Sequence, residues 1–324
     1  MSPVKVIVTG GAGFIGSHVV DALCHEQHEL VVIDDFSTGR RENLARATAL
    51  HPNLRVVEAD IRSPEAAAAV EQFAPKVLVH FAAQMSVKVS MRDPELDASV
   101  NVLGLLNLLE AARRSGCRKV VFASSGGTVY GAPGPAAAPR DESDPRVPQS
   151  FYGLTKSVSV DYLRLYREQY GLEYAALALG NIYGPRQDPY GEAGVVAIFA
   201  GRMLDGLPCV VNGDGLTTRD FVHVSDVVGA VTNALRTGHG LINIGTGTPT
   251  SVLDVHASVA KAVGRDDRPE FGPALPGEVR HVALRVDRAG RELGWRARVA
   301  LDEGVATVVD WMRDAESPRV EAVP

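Results

Sequence analysis

The sequence predicts an α/β protein built on a doubly wound parallel sheet, with a smaller mixed α/β lobe drawn mainly from the C-terminal half. Three observations carry that prediction. Apolar runs of four to eight residues alternate with helix-like stretches over the first 180 residues, as in strands covered on both faces. A glycine-rich turn, Gly10-Gly11-Ala12-Gly13-Phe14-Ile15-Gly16, joins the first run to the first helical stretch. Beyond about residue 180 the chain becomes richer in Gly, Pro and polar groups, and the regular alternation fades.

In chain order, Val4 to Thr9 reads as a strand and Gly16 to His25 as a helix. Leu30 to Ile33 is a second strand ending at Asp34-Asp35, and LRVVEAD (54–60) a third. Ala66 to Phe73 favours helix through its Ala and Glu content. KVLVHFAA (76–83) is a buried strand. Asn101 to Ala112 carries leucines three and four apart, with Gly116 as a stop signal. KVVFASS (119–125) is a strand, Lys156 to Tyr170 a helix closed by Gly171, and YAALALGN (174–181) a strand. NIYGPRQDPYGEAG (181–194) reads as a loop long enough for a binding role. Val195 to Leu204 and Ser251 to Val263 read as helices, and 219–237 and 241–245 as mixed strand and helix. A Gly/Pro/Ala-biased stretch at 131–139 is a loop, Pro269 to Arg285 is rich in proline and charge, and Trp295 and Trp311 suit packing in the second lobe. The expected division is residues 1–180 for a nucleotide-binding body completed by later segments, 181–314 mainly for the second lobe, and 315–324 for a flexible tail.

Composition sets bounds on partners. The 324 residues are 45% hydrophobic and 22% charged, ordinary for a globular chain with a sizeable core. A net charge of -6 without a basic cluster argues against nucleic acid as the main partner, but not against a small anion in a locally positive pocket. Cys24, Cys117 and Cys209 form no CxxC pair, which fits a reducing compartment. The chain enters its first strand pattern at once, and no apolar run approaches membrane-spanning length. The expectation is a cytoplasmic protein with no membrane contact.

The glycine turn has a chemical reading. Gly10, Gly13 and Gly16 form a G-x-x-G-x-x-G variant of the dinucleotide fingerprint. Glycines let the backbone turn sharply against a pyrophosphate, and the turn, with Phe14 and Ile15 in it, opens a helix that offers free N–H groups and its positive dipole end. Asp34 stands 18 positions beyond Gly16 at the second strand's tip. It can accept hydrogen bonds from the adenine ribose and would repel a 2′-phosphate, which favours NAD. Asp35, Ser37, Thr38 and Gly39 follow it; Arg40 could greet a phosphate and keeps NADP open. Asp60-Ile61 would lie beside the adenine, and Phe81-Ala82-Ala83-Gln84 would pass the pyrophosphate and ribose. All repeat one position, the C-terminal edge of a parallel sheet. His80 reads as a locally bonded strand-end histidine, and no ligand set for a metal is apparent, His25 and His28 lacking an acidic or cysteine partner.

Tyr152 and Lys156 are four apart and share a face if that segment is helical. An ammonium beside a phenol favours the phenolate, allowing proton transfer far below a free tyrosine's pKa of about 10. Together TGGAGFIG, the Asp34 tip, SSGGTVYG, YGLTK, GNIYGPRQ and TRDFVHVSDV resemble the extended short-chain dehydrogenase/reductase family, and within it the UDP-glucose 4-epimerase branch, over about residues 4 to 312. The resemblance implies tightly held NAD, an N-terminal Rossmann domain, a smaller lobe gripping the nucleotide end of a UDP-sugar, and a homodimer. It makes Tyr152 the base, with Lys156 lowering its pKa and holding the nicotinamide ribose. It places Asn101 near the cofactor, Asn181 and Arg219 against the sugar nucleotide, and Arg280 at the diphosphate. The implied reaction inverts C4 of UDP-glucose or UDP-galactose through a transient 4-keto sugar.

One departure stands out. Epimerases of this branch place a third serine where this chain has Gly126. Ser125 and Thr128 are the candidate replacements, Ser125 for the proton relay and Thr128 for a sugar contact, with Ser124 turned into the body. Related dehydratases carry an Asp-Glu pair in this turn; Gly126-Gly127 cannot move protons, which argues against dehydration. Val282 aligns near a position that limits sugar size, and Arg186 with Gln187 offers a uronate carboxylate a basic neighbourhood, so UDP-GlcNAc and UDP-glucuronate stay as alternative substrates. A non-catalytic NAD-binding regulatory protein is the third reading, and the intact Tyr152/Lys156 pair speaks against it.

Overall fold

Alternate residues of a strand point to opposite faces, and β1 (Lys5–Thr9) shows what that does here. Val6 and Val8 join one buried cluster while Ile7 joins another, so the strand is apolar throughout because both its faces are covered. The chain continues with α1 (Phe14–His25), β2 (Glu29–Asp34), α2 (Ala45–Leu50), β3 (Arg55–Glu58), α3 (Pro64–Phe73), β4 (Val77–His80), α4 (Val87–Arg92), α5 (Pro94–Ala98), α6 (Gly104–Arg114), β5 (Lys119–Ser125), α7 (Phe151–Tyr170) and β6 (Glu173–Leu179). Then come β7 (Asn181–Tyr183), α8 (Val195–Leu204), β8 (Val210–Asn212), β9 (Thr218–His223), α9 (Val224–Ala234), β10 (Gly240–Ile244), β11 (Pro249–Ser251), α10 (Val252–Val263), β12 (Glu270–Gly272), α11 (Asp287–Leu293) and α12 (Leu301–Asp314). This computed structural model describes residues 3–131, 138–190, 194–266, 268–274 and 279–314. Most of the biased loop at 131–139 and all of the expected tail at 315–324 lie outside them.

Seven strands form one parallel sheet in the order β10-β6-β5-β4-β1-β2-β3. The chain runs outward from β1 to β3 and then returns to β4 on β1's other side. The order therefore reverses beside β1, and the carboxyl ends of β1 and β4 frame a crevice where open α/β sheets bind ligands. One face is covered by α1 and α9 through Val19, Val20, Val227 and Val231. The other is covered by α3, α6 and α7 through Val70, Leu105, Leu109 and Leu163. A third cluster, including Tyr183, Phe199, Val255, Val259, Val305 and Val309, forms the core of the smaller lobe, whose sheet runs β11-β9-β7.

Several expectations are corrected. Asn181 to Tyr183 form strand β7, paired in parallel with β9, rather than the start of a loop. Helix α7 starts at Phe151, five residues earlier than the apolar pattern indicated, because Ser150 caps it by accepting the Gly153 N–H. Trp295 packs in the main sheet's own core beside α9, with its indole N–H donated to Asp226 O at 2.8 Å, rather than in the second lobe. Among the described residues no helix is long and apolar enough to cross a membrane.

Candidate active site

The first turn of the site is made by backbone. Gly10 adopts φ +67°, and a Cβ there would sit 2.6 Å from Ala82 N. A Cβ on Gly16 would sit 2.0 Å from Gly10 O. The β1–α1 turn and the end of β4 are therefore in close backbone contact, which only glycine permits. Gly13 is the N-cap of α1 and makes no side-chain cap, so the first-turn N–H groups of the helix remain for an anion. Phe81 N–H donates to Thr9 O at 3.0 Å and Ala82 N–H to Thr9 Oγ1 at 3.3 Å, which leads Ala83 and Gln84 along the same edge.

Asp34 is buried at the tip of β2. Its Oδ2 accepts the Ala12 N–H at 2.8 Å and its Oδ1 the Phe36 N–H at 2.9 Å. Burial pushes this carboxyl up, and the two N–H bonds oppose the shift. Each oxygen still has acceptor capacity for a ribose hydroxyl. Gly39 closes over it, since a Cβ there would lie 2.7 Å from Oδ1. Asp35 is exposed and accepts the Ser37 N–H and hydroxyl, with Thr38 next in the turn. Asp60 is gripped by the Arg62 guanidinium, which holds it below the usual carboxylate range, and Ile61 is buried against Gly104. The fingerprint glycines, the uncapped helix and the fixed Asp34 together fit an adenine dinucleotide. Arg40 is engaged elsewhere, paired with Asp188 at 3.2 Å.

The groups expected to handle the proton stand at the end of β5 and the start of α7. The Ser125 hydroxyl stands by the Tyr152 phenol and favours its ionised form. Lys156 is buried, donates to Ala123 O at 2.9 Å, and lies 4.8 Å above the Phe122 ring and 5.8 Å from the Tyr152 ring centroid. Burial lowers Lys156 to about 8. Burial also pushes Tyr152 up to about 12, against the Ser125 hydroxyl. In the ligand-free chain, then, desolvation rather than the lysine dominates the phenol. His80 is buried and locally bonded as expected, 2.7 Å from Thr9 Oγ1, with burial and the nearby ammonium lowering its pKa to about 3.

The missing third hydroxyl has a steric cause. A Cβ on Gly126 would meet Leu284 Cδ1 at 2.6 Å and Ala178 O at 3.0 Å, so a residue from far along the chain fills that space. Thr128 Oγ1 and Ser124 Oγ are buried with no hydrogen-bond partner among the described residues. Asn181 Oδ1 lies 3.8 Å from where a Gly127 Cβ would be, which sets it beside this turn. Arg219 donates to Thr218 O at 2.8 Å. Next to it, buried Asp220 accepts the Thr246, Gly247 and Leu284 N–H groups at 2.7, 3.0 and 3.2 Å. That carboxylate ties β9 to the segment carrying Leu284. Arg280 lies on the same segment, its carbonyl accepting the Thr218 N–H at 2.9 Å and its exposed guanidinium paired with Asp214. Val282 is buried, its N–H bonded to Thr218 O at 3.2 Å. Arg186 pairs through Nη2 with Asp21 on α1 at 2.7 Å, while its Nη1 is buried with no hydrogen-bond partner among the described residues.

Asn101 sits in a turn of π-helix, Ser99–Leu103, a local widening often found at functional sites. Its Oδ1 accepts the Gln84 N–H at 2.9 Å and its Nδ2 donates to Gln84 O at 2.9 Å. The same amide reaches Asp97, which sequence reasoning missed. Asp97 is fully buried. Its Oδ1 accepts from Gln84 Nε2 at 2.6 Å and Asn101 Nδ2 at 3.1 Å, and its Oδ2 accepts the Thr155 hydroxyl at 2.8 Å. The available signal was its spacing, four residues before Asn101 on one helical face.

Comparison with known proteins agrees with this geometry. The model of the NAD dependent epimerase/dehydratase family matches residues 6–245. A UDP-glucose 4-epimerase of Mycolicibacterium smegmatis is 46% identical over 312 residues, covering 96% of this chain and 99% of that protein. The crystal structure of a UDP-glucose 4-epimerase with UDP-glucose from Thermotoga maritima is 41% identical, with a TM-score of 0.90, covering 95% and 98% of the two chains. The UDP-glucose 4-epimerase of Thermus thermophilus in complex with NAD is 42% identical, with a TM-score of 0.88, covering 96% and 99%. With a dinucleotide turn, a Ser–Tyr–Lys group at the sheet edge and a family match across the main sheet, the chain belongs to the NAD dependent epimerase/dehydratase family.

Proposed function

We propose that this protein is an NAD-dependent epimerase that inverts C4 of a UDP-hexose, interconverting UDP-glucose and UDP-galactose. The observation that carries the reading is the placing of buried Lys156 5.8 Å from the Tyr152 ring, with Ser125 by the phenol, on the same sheet edge as the Gly10 cradle. The choice of UDP-glucose is supported by UDP-glucose 4-epimerases at 41–46% identity, against 27–29% for the UDP-N-acetylglucosamine and UDP-glucuronate epimerases. NAD, when bound, supplies the hydride acceptor and donor and, in its oxidised form, a positive charge. Asp34 selects it over NADP by occupying the place of a 2′-phosphate, and Arg40 is held away by Asp188.

Tyr152 takes the O4 proton and later returns it, with Ser125 relaying between phenol and sugar. Lys156 holds positive charge below the phenol and is placed to bond the nicotinamide ribose. Thr128, whose hydroxyl is unspent in the described structure, contacts the hexose. Asn181, Arg219 and Arg280 grip the nucleotide and diphosphate, Arg280 exchanging its exposed pair with Asp214, a pair of the kind worth at most about 1 kcal/mol. Firm hold on UDP and loose hold on the hexose let the 4-keto sugar turn over. In this reading residues 1–180, completed by β10, bind NAD, and 181–314 chiefly bind the sugar nucleotide.

The buried free cysteines suit a reducing cytoplasm. Phe151, Leu154 and Leu165 are exposed on one stripe of α7, the elements packed on α7 expose Met91, Leu96 and Leu103, and a second copy of the chain covers this face in a homodimer. Light scattering then gives twice the chain mass. For function, nucleotide released by denaturation is identified, and untreated protein is given UDP-glucose, UDP-GlcNAc and UDP-glucuronate in turn. The expected outcome is released NAD and fastest C4 inversion of UDP-glucose without added cofactor. Faster reaction of the N-acetyl or uronate sugar reassigns the substrate. No epimer from cofactor-replete protein overturns the enzyme reading.

A further inference from the structure

A buried ammonium needs a counter-charge, and the ion pairs of the described residues give Lys156 none in direct contact. Its Nζ is bonded to a neutral carbonyl, Ala123 O, at 2.9 Å. The groups facing it are few. From the end of β4 comes His80, neutral behind Thr9. From α7 comes the neutral phenol of Tyr152. β5 presents Phe122 and the Ala123 carbonyl. From α5 comes Asp97, linked to the lysine's own helix through Thr155, the residue before it.

Asp97 sits among hydrogen-bond donors. Burial, the largest effect, leaves its carboxyl above the usual carboxylate range, with the Thr155 and Gln84 bonds and the ammonium opposing the rise. Three donors converge on it, the Gln84 amide at 2.6 Å, the Thr155 hydroxyl at 2.8 Å and the Asn101 amide at 3.1 Å. The Gln84 and Asn101 amides can only donate, so a protonated carboxyl could donate solely to the Thr155 hydroxyl, turning the hydroxyl's own proton to Tyr152 O at 3.0 Å, whereas a carboxylate accepts from all three. It is fully buried, so its field is little screened by water. We infer that Asp97 is a positioning residue whose carboxylate, clamped by Gln84, Asn101 and Thr155, serves as the remote counter-ion that keeps Lys156 an ammonium in the working pH range. The two ends of this arrangement come from elements the family's Tyr-Lys pair does not itself include, α5 and the Gln84 turn. The electrostatics agree in sign, since burial pulls Lys156 down to about 8 and Asp97 is the group that opposes it. At that value little is left in reserve near neutrality, and loss of the anion leaves a growing neutral fraction.

The inference rests on Tyr152 and Lys156 being the reacting pair, but its first test needs no substrate. Lysine labelled at Cε is titrated by NMR in the full chain, with the Lys156 signal assigned by Lys156→Met. The Lys156 midpoint in Asp97→Asn is expected at least about half a pH unit below wild type, because an anion that favours the charged form is gone. Asp97→Glu, which keeps the charge, is expected to restore most of it. Asparagine must place an NH2 among donors; if it does not fold, Asp97→Ser leaves room for a water to accept the same bonds, and the same shift is expected. In turnover, the alkaline fall of the kcat/KM profile is expected to move down by a like amount, whereas a purely structural role lowers the rate at all pH values without moving that limb. Equal midpoints in wild type and a folded, charge-free variant overturn the inference. A shifted midpoint in a protein that turns over no UDP-sugar leaves it standing and overturns only the proposed reaction.

Discussion

Two glycine-rich turns end parallel strands in this molecule, and they need their glycines for different reasons. In the turn after β1, an added Cβ at Gly10 or Gly16 meets backbone, Ala82 N at 2.6 Å and Gly10 O at 2.0 Å. In the turn after β5, Gly126 is crowded first by a side chain, Leu284, and Gly127 has only Asn181 Oδ1 at 3.8 Å. The first turn is shaped by backbone packed directly on backbone. The second is shaped by how a distant segment packs, and it leaves proton handling to the hydroxyls on either side. Reading both as glycine motifs hides that difference.

The largest expected effect belongs to the first turn. Gly16→Ala puts a methyl into a carbonyl oxygen that no rotamer change can move. We expect a loss on the order of 3 kcal/mol or more, the upper end of overpacking, and protein that no longer co-purifies with NAD. Denaturant unfolding and the nucleotide content of the purified protein check it; a stable variant retaining NAD would show that the turn has more slack than its geometry indicates. Next is Tyr152→Phe. The ring keeps its place on α7, yet no proton carrier remains beside Ser125, so turnover is expected to fall by about 10²- to 10⁴-fold with UDP-sugar binding nearly unchanged. Turnover above about a tenth of wild type removes Tyr152 from the role of base.

The same contrast explains what could be read in advance. The β1 turn was legible because its cause is local: strand, glycines and helix follow one another in sequence, and Asp34 is at the neighbouring strand tip. The Tyr152/Lys156 pair was legible for the same reason, although its helix starts earlier than apolar spacing indicated because Ser150 caps it. The replacement for the third serine was only half legible. Ser125 and Thr128 could be named, but Leu284 reaches Gly126 from another part of the chain through Asp220's grip on its N–H at 3.2 Å, and no local pattern announces that. Asp97 was illegible because α4 and α5 are too short for apolar periodicity, and an acidic residue in such a stretch reads as solvated surface.

Within the second turn, Ser125 and Thr128 are separated by their partners. Ser125 stands by the phenol and favours its ionised form, and Thr128 Oγ1 is unpaired in the described structure. Ser125→Ala removes a hydrogen bond to a group whose charge changes, worth about 1.5 to 3 kcal/mol, and is expected to slow turnover by at least about tenfold. Thr128→Val is expected to cost less and to act mainly on sugar orientation. Turnover at saturating UDP-galactose decides between them, and a crippled Thr128→Val beside a near-normal Ser125→Ala reverses the roles.

The smallest effect expected is that of Gly127→Ala, and it tests the comparison most directly. Gly127 is not among the glycines with positive φ, so an alanine needs no strained backbone there. Its Cβ would make ordinary contact with Asn181 Oδ1 at 3.8 Å and displace nothing. Removing a glycine's excess freedom from the unfolded chain is worth about 0.4–1 kcal/mol where the native conformation is compatible. The variant is therefore expected to unfold at the same or slightly higher denaturant concentration, with turnover within about threefold of wild type, a change near 0.6 kcal/mol in barrier. An equal-sized methyl at Gly16 is expected to be ruinous. If Gly127→Ala proves as damaging as Gly16→Ala, the second turn also requires close approach, by the hexose rather than by backbone, and the distinction between a turn fixed by backbone contact and one shaped by side-chain packing fails at this position.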